Sequence, residues 1–426
     1  MTPPVSKTTK RCPRRTRRLA AVLFLPLLAT VRPCVAQEWT RFRGPNGSGL
    51  APAAQIPVSW TEEDANWRVE LPGSGISQPV LWGSRIFVAS ARKDGKERIL
   101  QCLNTEVGKV LWSRTFPAET HSKHQRNTYA SSTPAADGEH VYAAFSDPKS
   151  LVLRALTHDG KDAWAHEFGP FDCKHGGGAS PIVFKELVVL ANEVDADSFV
   201  IALDRKTGET RWKSARTTEE AAFGTPCVLE PAGGPPELVF SSHAHGLSSL
   251  DARTGKENWS ARVFDKRTVS SPVIAGTLVL GTCGSGGGGN YLAAVRAGGK
   301  GDVTASHLAY KVTKAMPYVP TTLVKGDLVF LWGDMGVVSC VDAMTGEIVW
   351  QARAEGNYSG SPVCVGDRLY CLSEEGEAVA IEADREFKLL GRSPLGEGTR
   401  STPAIAGGRM YIRTYTHLIS VGGKVE

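Results

Sequence analysis

No two of the nine cysteines in the 426-residue chain are adjacent, and none are spaced as CxxC. A disulfide between neighbouring cysteines, a dithiol redox motif and a cysteine-rich zinc site are therefore excluded. Gly-Lys-Ser/Thr is missing as well. The glycine-rich stretch "GTCGSGGGGNY" (Gly281–Tyr291) leads into a strand pattern instead of a helix, so it reads as a flexible turn, not a phosphate loop. "NEVDADS" (Asn192–Ser198) has the acidity of a calcium loop without its ligand positions and reads as a solvated hairpin turn. The apolar run "LAAVLFLPLLATV" (Leu19–Val31) is short and broken by Pro26, which excludes a membrane span after processing.

That run belongs to an export signal. Residues 1–36 carry eight Lys and Arg, no acid, the apolar run and a small-residue end "CVA" before Gln37. The expected destination is the periplasm or the exterior. Arg17-Arg18 faintly resembles a twin-arginine signal. Val31-Arg32-Pro33 ahead of Cys34 lacks the small side chains of a lipidation site. Beyond the signal, 41 Lys plus Arg face 44 Asp plus Glu, a net of −3 against +5 for the whole chain. The basic pI therefore belongs to the signal and gives no reason to expect a nucleic-acid partner.

What the chain has is a repeat. One unit is "GASPIVFKELVVLANEVDADSFVIALDRKTGETRW" (Gly178–Trp212); another is "SGSPVCVGDRLYCLSEEGEAVAIEAD" (Ser359–Asp384). The shared plan is a Ser/Thr-Pro start, an apolar strand, a Gly/Asp turn, two further strands, an Asp-x-x-Thr-Gly turn and a fourth strand with Trp. The starts fall at Pro79, Pro134, Pro181, Pro226, Pro272, Thr322, Pro362 and Pro403. Eight four-stranded units, each unable to bury its faces alone, predict an all-β, eight-bladed β-propeller.

The ends support closure. The eighth unit, "STPAIAGGRMYIRTYTHLISV", has only three strands, whereas "NWRVELP" (Asn66–Pro72) is a fourth strand with no three before it. An N-terminal strand completing the last blade explains both and leaves no open sheet edge. The expected organisation is a signal at 1–36, an N-terminal clasp at 37–66 along the rim or across an end of the ring, and the propeller at 67–426.

Trp112, Trp164, Trp212, Trp259 and Trp350 each follow a turn glycine by four residues, which places a large ring against the neighbouring blade. Blade five has lost the Asp-Thr-Gly turn, so Leu308 or Tyr310 must fill the Trp place, and blade seven is expected to put leucine there. Seven scattered cysteines remain after the signal; Cys364 and Cys371 are either paired across a hairpin or buried thiols.

The "ALDxxTGxxxW" pattern resembles the tryptophan-docking repeat of pyrroloquinoline-quinone-like eight-bladed propellers. That group includes quinoprotein alcohol dehydrogenases and the non-enzymatic scaffold of the outer-membrane barrel assembly machine. The opening "WTRFRGPNGSG" resembles exported propellers of planctomycete-type bacteria. For an enzyme, the resemblance implies pyrroloquinoline quinone (PQQ) with Ca²⁺, a disulfide of adjacent cysteines over the quinone and a Trp beneath it. The cysteine pair is absent here, and no Ca²⁺ ligand or catalytic base falls on a matching position.

Loops from each blade's outer strand to the next inner strand share a face with the turns between second and third strands. That face collects the candidate binding residues: His121, His124 and Arg126 in the first exit loop; Lys174 and His175 in the second; Arg267, Tyr318, Tyr358 and Arg400 ahead of later blades; and His243 and His245 in a turn. His121 and His124 have no fixed acid–base partner, and two histidines alone do not make a zinc site. The reading is an exported, non-catalytic scaffold for a protein or cell-envelope component, with no cofactor and no catalytic residue. The alternative is a PQQ-dependent oxidoreductase acting on an alcohol or sugar. Polysaccharide binding through Trp82, Trp332 and the rim tyrosines is a third expectation.

Overall fold

Short apolar runs buried on both faces, such as Phe199–Asp204, and alternating outer strands such as Asp162–Glu167, punctuated by Gly-containing turns, build antiparallel sheets and almost no helix. In the computed structural model these form eight small sheets. The structure describes residues 1–5, 38–194, 197–218 and 220–423. The chain divides into Met1–Val35 and Ala36–Glu426, and the sheets all belong to the second unit. The expected signal segment lies outside the described residues from position 6 onward. No helix among the described residues is long and apolar enough to cross a membrane.

Blade 1 shows the plan: Val80–Trp82 innermost, then Arg85–Ala91, Glu97–Asn104 and Val110–Pro117, each antiparallel to the one before. Ring closure is as the sequence predicts. Trp67–Glu70 pairs antiparallel with His417–Gly422, in one sheet with Arg409–Arg413 and Ala404–Ala406.

The repeated residues have separate jobs. Asp204 Oδ1 accepts from the amides of Lys206 and Thr207 at 2.8 and 3.0 Å, and Gly208 then turns the chain at φ 74°. The Trp of one blade lies on the turn glycine of the next: a Cβ on Gly255 would be 2.4 Å from the Trp212 ring. Its indole N–H donates to the carbonyl one residue after the turn's first position, Asp251, Asp204 or Thr157, as in Trp212 to Ala252 (3.0 Å), Trp164 to Arg205 (3.1 Å) and Trp112 to His158 (2.7 Å). Each docked ring contributes about 2–4 kcal/mol. The Ser/Thr before each blade-start proline ties the ring near its axis. Ser271, Thr321, Ser361 and Thr402 each accept from the corresponding backbone N–H of the preceding blade, at 2.9 to 3.0 Å.

Blades five and seven depart from the plan in different ways. Tyr310 fills the Trp place in blade five, its hydroxyl donating to Ala343 O at 2.7 Å. Trp259, facing a blade without the receiving turn, instead donates to Glu237 within its own blade at 3.1 Å, and Gly301–Asp302 adds a parallel strand beside it. In blade seven the expected leucine is not at the Trp place. Pairing of Ala380 with Gly391 puts glycine there, because the N-terminal segment occupies that seam: a Cβ on Gly391 would be 2.3 Å from Val58 O.

That segment corrects the expected rim clasp. Glu38–Ala51 enters the axial channel. Leu81 N donates to Trp39 O (2.9 Å) and Ala136 N to Thr40 O (2.8 Å), tying blades 1 and 2. The Asn46 amide makes two bonds with the Val228 backbone of blade 4, at 2.7 and 2.8 Å. Leu50–Ala51 pairs in parallel with Cys364–Val365 of blade 7. Trp39 is fully buried, and Gly44, at φ 65°, approaches its ring so closely that a Cβ would lie 2.5 Å away. Arg41 and Arg43 are buried against carbonyls, Arg41 on Pro226 O and Arg43 on Gly47 O and Pro362 O; burial pushes their guanidinium groups down to about 10 and about 9. The chain then leaves between blades 7 and 8, where Ile56 O accepts from Arg368 and Tyr370, and Trp60 N donates to Ser393. The segment packs because eight narrow inner strands surround an axis that their own side chains do not fill.

Cys364 and Cys371 are buried thiols, as are Cys102, Cys227, Cys283 and Cys340.

Candidate functional site

The axial plug leaves the ring at the turns between first and second strands, where Glu38 accepts from Gly83 N and Ala53 packs on Gly366. The exit loops and the second-to-third-strand turns occupy the opposite face. Their composition, Gly, Asn, Asp and Ser with interspersed charge, disfavours strand continuation and lets side chains bond locally to backbone.

Two arginines organise this face. Arg267, in the exit loop of blade 4, donates to Glu220 from the preceding exit loop and sits 3.1 Å from His175 Nε2 in the loop before that. Arg400, ahead of blade 8, donates to Glu374 at 2.8 Å and to Arg126 O at 3.4 Å. Glu374 also accepts from Ser359 at 2.5 Å. Burial pushes the Glu374 carboxyl up, but the bonds from Arg400 and Ser359 outweigh it and hold the group below its ordinary value. Asp334 shows the opposite outcome. Burial raises it even though the amides of Tyr318 and Val319 donate to it at 2.6 and 3.1 Å.

The first two exit loops interlock. His124 N donates to His175 O at 3.1 Å, the Asn127 amide to the carbonyls of His175 and Gly177, and Ser122 to Lys174 O. The His124 and His175 rings stack 5.9 Å apart, and Gly176 allows the Lys123 backbone to lie close. Arg126, His124 and Lys174 are exposed on this joined pair.

Other candidates are placed differently. His121 is packed edge-on to Tyr129, bonded to Ser122 O and Ser146, and burial lowers its pKa. His243 and His245 diverge: His243 faces a groove beside Arg267, whereas His245 bonds Thr217. Tyr358 is not on the face at all. It is fully buried against Trp332, its hydroxyl on Ala354 O at 3.3 Å. Trp332 is buried too, and Trp82 stands at the plug end, next to Gly138, so the expected aromatic platform for a polysaccharide is not assembled. Glu193 pairs with Arg216 in the interior, and Asp195 lies outside the described residues.

Glu374 and Glu220 are the partners that the sequence reading missed. Glu374 was recoverable. It stands two residues before the turn glycine Gly376, as Asp334 stands before Gly336, so the repeat itself puts both acids at one level. Among the described residues, no three His, Cys, Asp or Glu side chains gather as a metal site.

The sequence model of the family described as outer membrane protein assembly factor BamB matches residues 60–306 and 315–424. No curated protein matches. Among solved structures, BamB from Moraxella catarrhalis is similar with a TM-score of 0.60 at 15% identity, covering 84% of this chain and 98% of that one. The quinohemoprotein alcohol dehydrogenase from Comamonas testosteroni is similar at 0.64 and 14%, covering 92% and 81% respectively. A europium-containing methanol dehydrogenase is similar at 0.53 and 12%, covering 89% and 90%. At such identities the likeness to solved structures speaks for the eight-bladed fold alone. The family match takes in most of the chain, which belongs to the outer membrane protein assembly factor BamB family.

Proposed function

We propose that the chain is an exported, non-catalytic scaffold that docks a protein or another cell-envelope component on its exit-loop face. The observation that carries this reading is how the face uses its charges. Arg267 and Arg400 are spent on Glu220 and Glu374, and Asp334 on two backbone amides. Such ties fix loops against one another and preorganise a surface, which lowers the ordering cost of association. Arg126, His124 and Lys174 stand out from that frame as contact groups. The family match supports a protein partner.

The oxidoreductase alternative finds less support in the residues present. Calcium takes six to eight oxygen ligands, roughly, and the acids at the mouth are already bonded to protein donors. Trp332, which could floor a quinone, is packed beneath Tyr358. The donor set therefore does not fit the Ca²⁺–quinone pair.

A photo-crosslinking side chain placed at Arg126 or Lys174, and at Lys109 on the opposite side as control, tests the docking reading in the native envelope. Discrete adducts from the first two positions and none from the third are expected. Adducts from Lys109 alone would reverse the assignment of the face. Titration with PQQ and Ca²⁺ tests the alternative: a stoichiometric absorbance change with dye-linked oxidation would replace the scaffold reading.

A further inference from the structure

Beside Arg267 the face opens into a groove of about 440 Å³ between the exit loops of blades 3, 4 and 5 and the turns of blades 4 and 5. This is within the range of small-ligand sites. Its walls alternate acceptors and donors. Glu220 and Asp265 present carboxylates; Lys266 and Arg267 present cations. The charges are tied before any ligand arrives. Arg267 donates to Glu220, Asp265 accepts from the Tyr291 hydroxyl at 2.8 Å, and Lys266 Nζ donates to Gly289 O at 2.8 Å. Tyr318 supplies a half-buried ring on one side, and the backbone of Gly284–Gly286 forms the other.

Two acids and two bases cancel, so the groove offers no net field for an ion, and a charged ligand that engages Arg267 or Glu220 would have to break their pair and leave its partner uncompensated. A neutral hydroxyl suits it better, since it can donate to Glu220 or Asp265 while accepting from Lys266 or Arg267. Several hydroxyls on a rigid ring, with a weakly polar C–H face to lie on Tyr318, describe a sugar. We propose that this groove is a binding site for a neutral saccharide, taken up without chemical change. The inference rests on the docking reading of the face for its accessibility, and names a ligand class for one part of it.

Saturation-transfer NMR and calorimetry on the full processed chain test it with glucose, N-acetylglucosamine, cellobiose and maltose, their longer oligomers, and glucuronate and glucosamine as charged comparators. Saturable binding of at least one neutral sugar is expected, tighter than either charged comparator. Tyr318→Ala and Asp265→Asn should each weaken it at least about tenfold with melting unchanged. Affinity that grows with oligomer length assigns the source to a polymer, and affinity that does not assigns it to a free sugar. Binding by no neutral member, preference for a charged comparator, or indifference to both substitutions overturns the proposal. Crosslinking from Arg126, outside the groove, reports the docking reading separately and is unaffected by failure here.

Discussion

Replacing Trp39 by alanine asks whether the axial plug is part of the fold's stability or a passenger in a hole. The ring is fully buried, clamped on Gly44 and joined through its backbone to the inner strand of blade 1. Removing such a side chain costs about 3–5 kcal/mol, the transfer free energy plus the cavity left behind. Unfolding entropy near 60 °C is about 2.1 cal/mol/K per residue. Over the Ala36–Glu426 unit this gives about 0.8 kcal/mol/K, so the midpoint should fall by about 4 to 6 °C. Calorimetry on the variant and on a control at exposed Lys109 reads this directly. Removing residues 38–51 altogether should lower it further, because the bonds to blades 2, 4 and 7 go as well. Crosslinking from the exit-loop face should persist in both. A midpoint within about 1 °C of the parent would refute the reasoning: the plug would then be held by the ring without holding it.

Three further outcomes are expected. Gly255→Ala forces an L residue to φ 70° and a Cβ against Trp212, and should cost at least about 1–2 kcal/mol in urea unfolding. In acid, Glu374 and Asp334 act with opposite sign. Glu374, held below its ordinary 4.5, gives stability at neutral pH that is lost as pH falls below that value; Asp334, raised above 3.8, returns some as it protonates. Melting between pH 3 and 7 should therefore show a flatter acid limb in Glu374→Gln and a steeper one in Asp334→Asn. Burial raises the thiols of Cys102, Cys227 and Cys340 to about 12, so peptide mapping after maleimide treatment should find them unlabelled in the native protein and labelled in denaturant.

Blade number and closure were legible because each depends on a residue type whose backbone or volume admits few substitutes. Proline or threonine starts a blade, glycine turns it and tryptophan docks it. The seam residues were fully legible where the turn survived; in blade five, which has lost it, the reading left Leu308 and Tyr310 open, and Tyr310 takes the place. With the glycine gone from "EADREFKLL", the count to the outer strand slips, and Gly391 takes the place a leucine was expected to hold. The path of Glu38–Leu50 was not legible, since a chain that crosses an axis has neither the period of a strand nor that of a helix. Tyr358 misled for a related reason. Its position before a blade start suggested the rim, but the exit loop turns inward and its hydroxyl finds Ala354 O. Arg267 and Arg400 lie in the exit loops to which the repeat assigns them. Glu220 comes from another blade, a pairing that spacing along the chain does not specify, whereas Glu374 stands at a position that the repeat defines.

The two ends of the ring are closed by different physics, and this restricts where function can reside. At one end main chain fills the axis: Trp39 is buried on Gly44, and the buried Arg43 sits among carbonyls. The axis is therefore no conduit from face to face. At the other end the ties are side-chain pairs between separate loops, Arg267 with Glu220 and His175 from other blades and Arg400 with Glu374 across blade 7. Ties of that kind hold a surface in shape while leaving its neighbours, Arg126, Lys174 and the Tyr318 groove, open to solvent. Under the docking reading, a partner that needs a rigid, chemically varied surface meets it at this end. Breaking one tie, as in Arg400→Ala, should loosen the loops that carry Arg126 and weaken docking, whereas breaking the plug should weaken the ring.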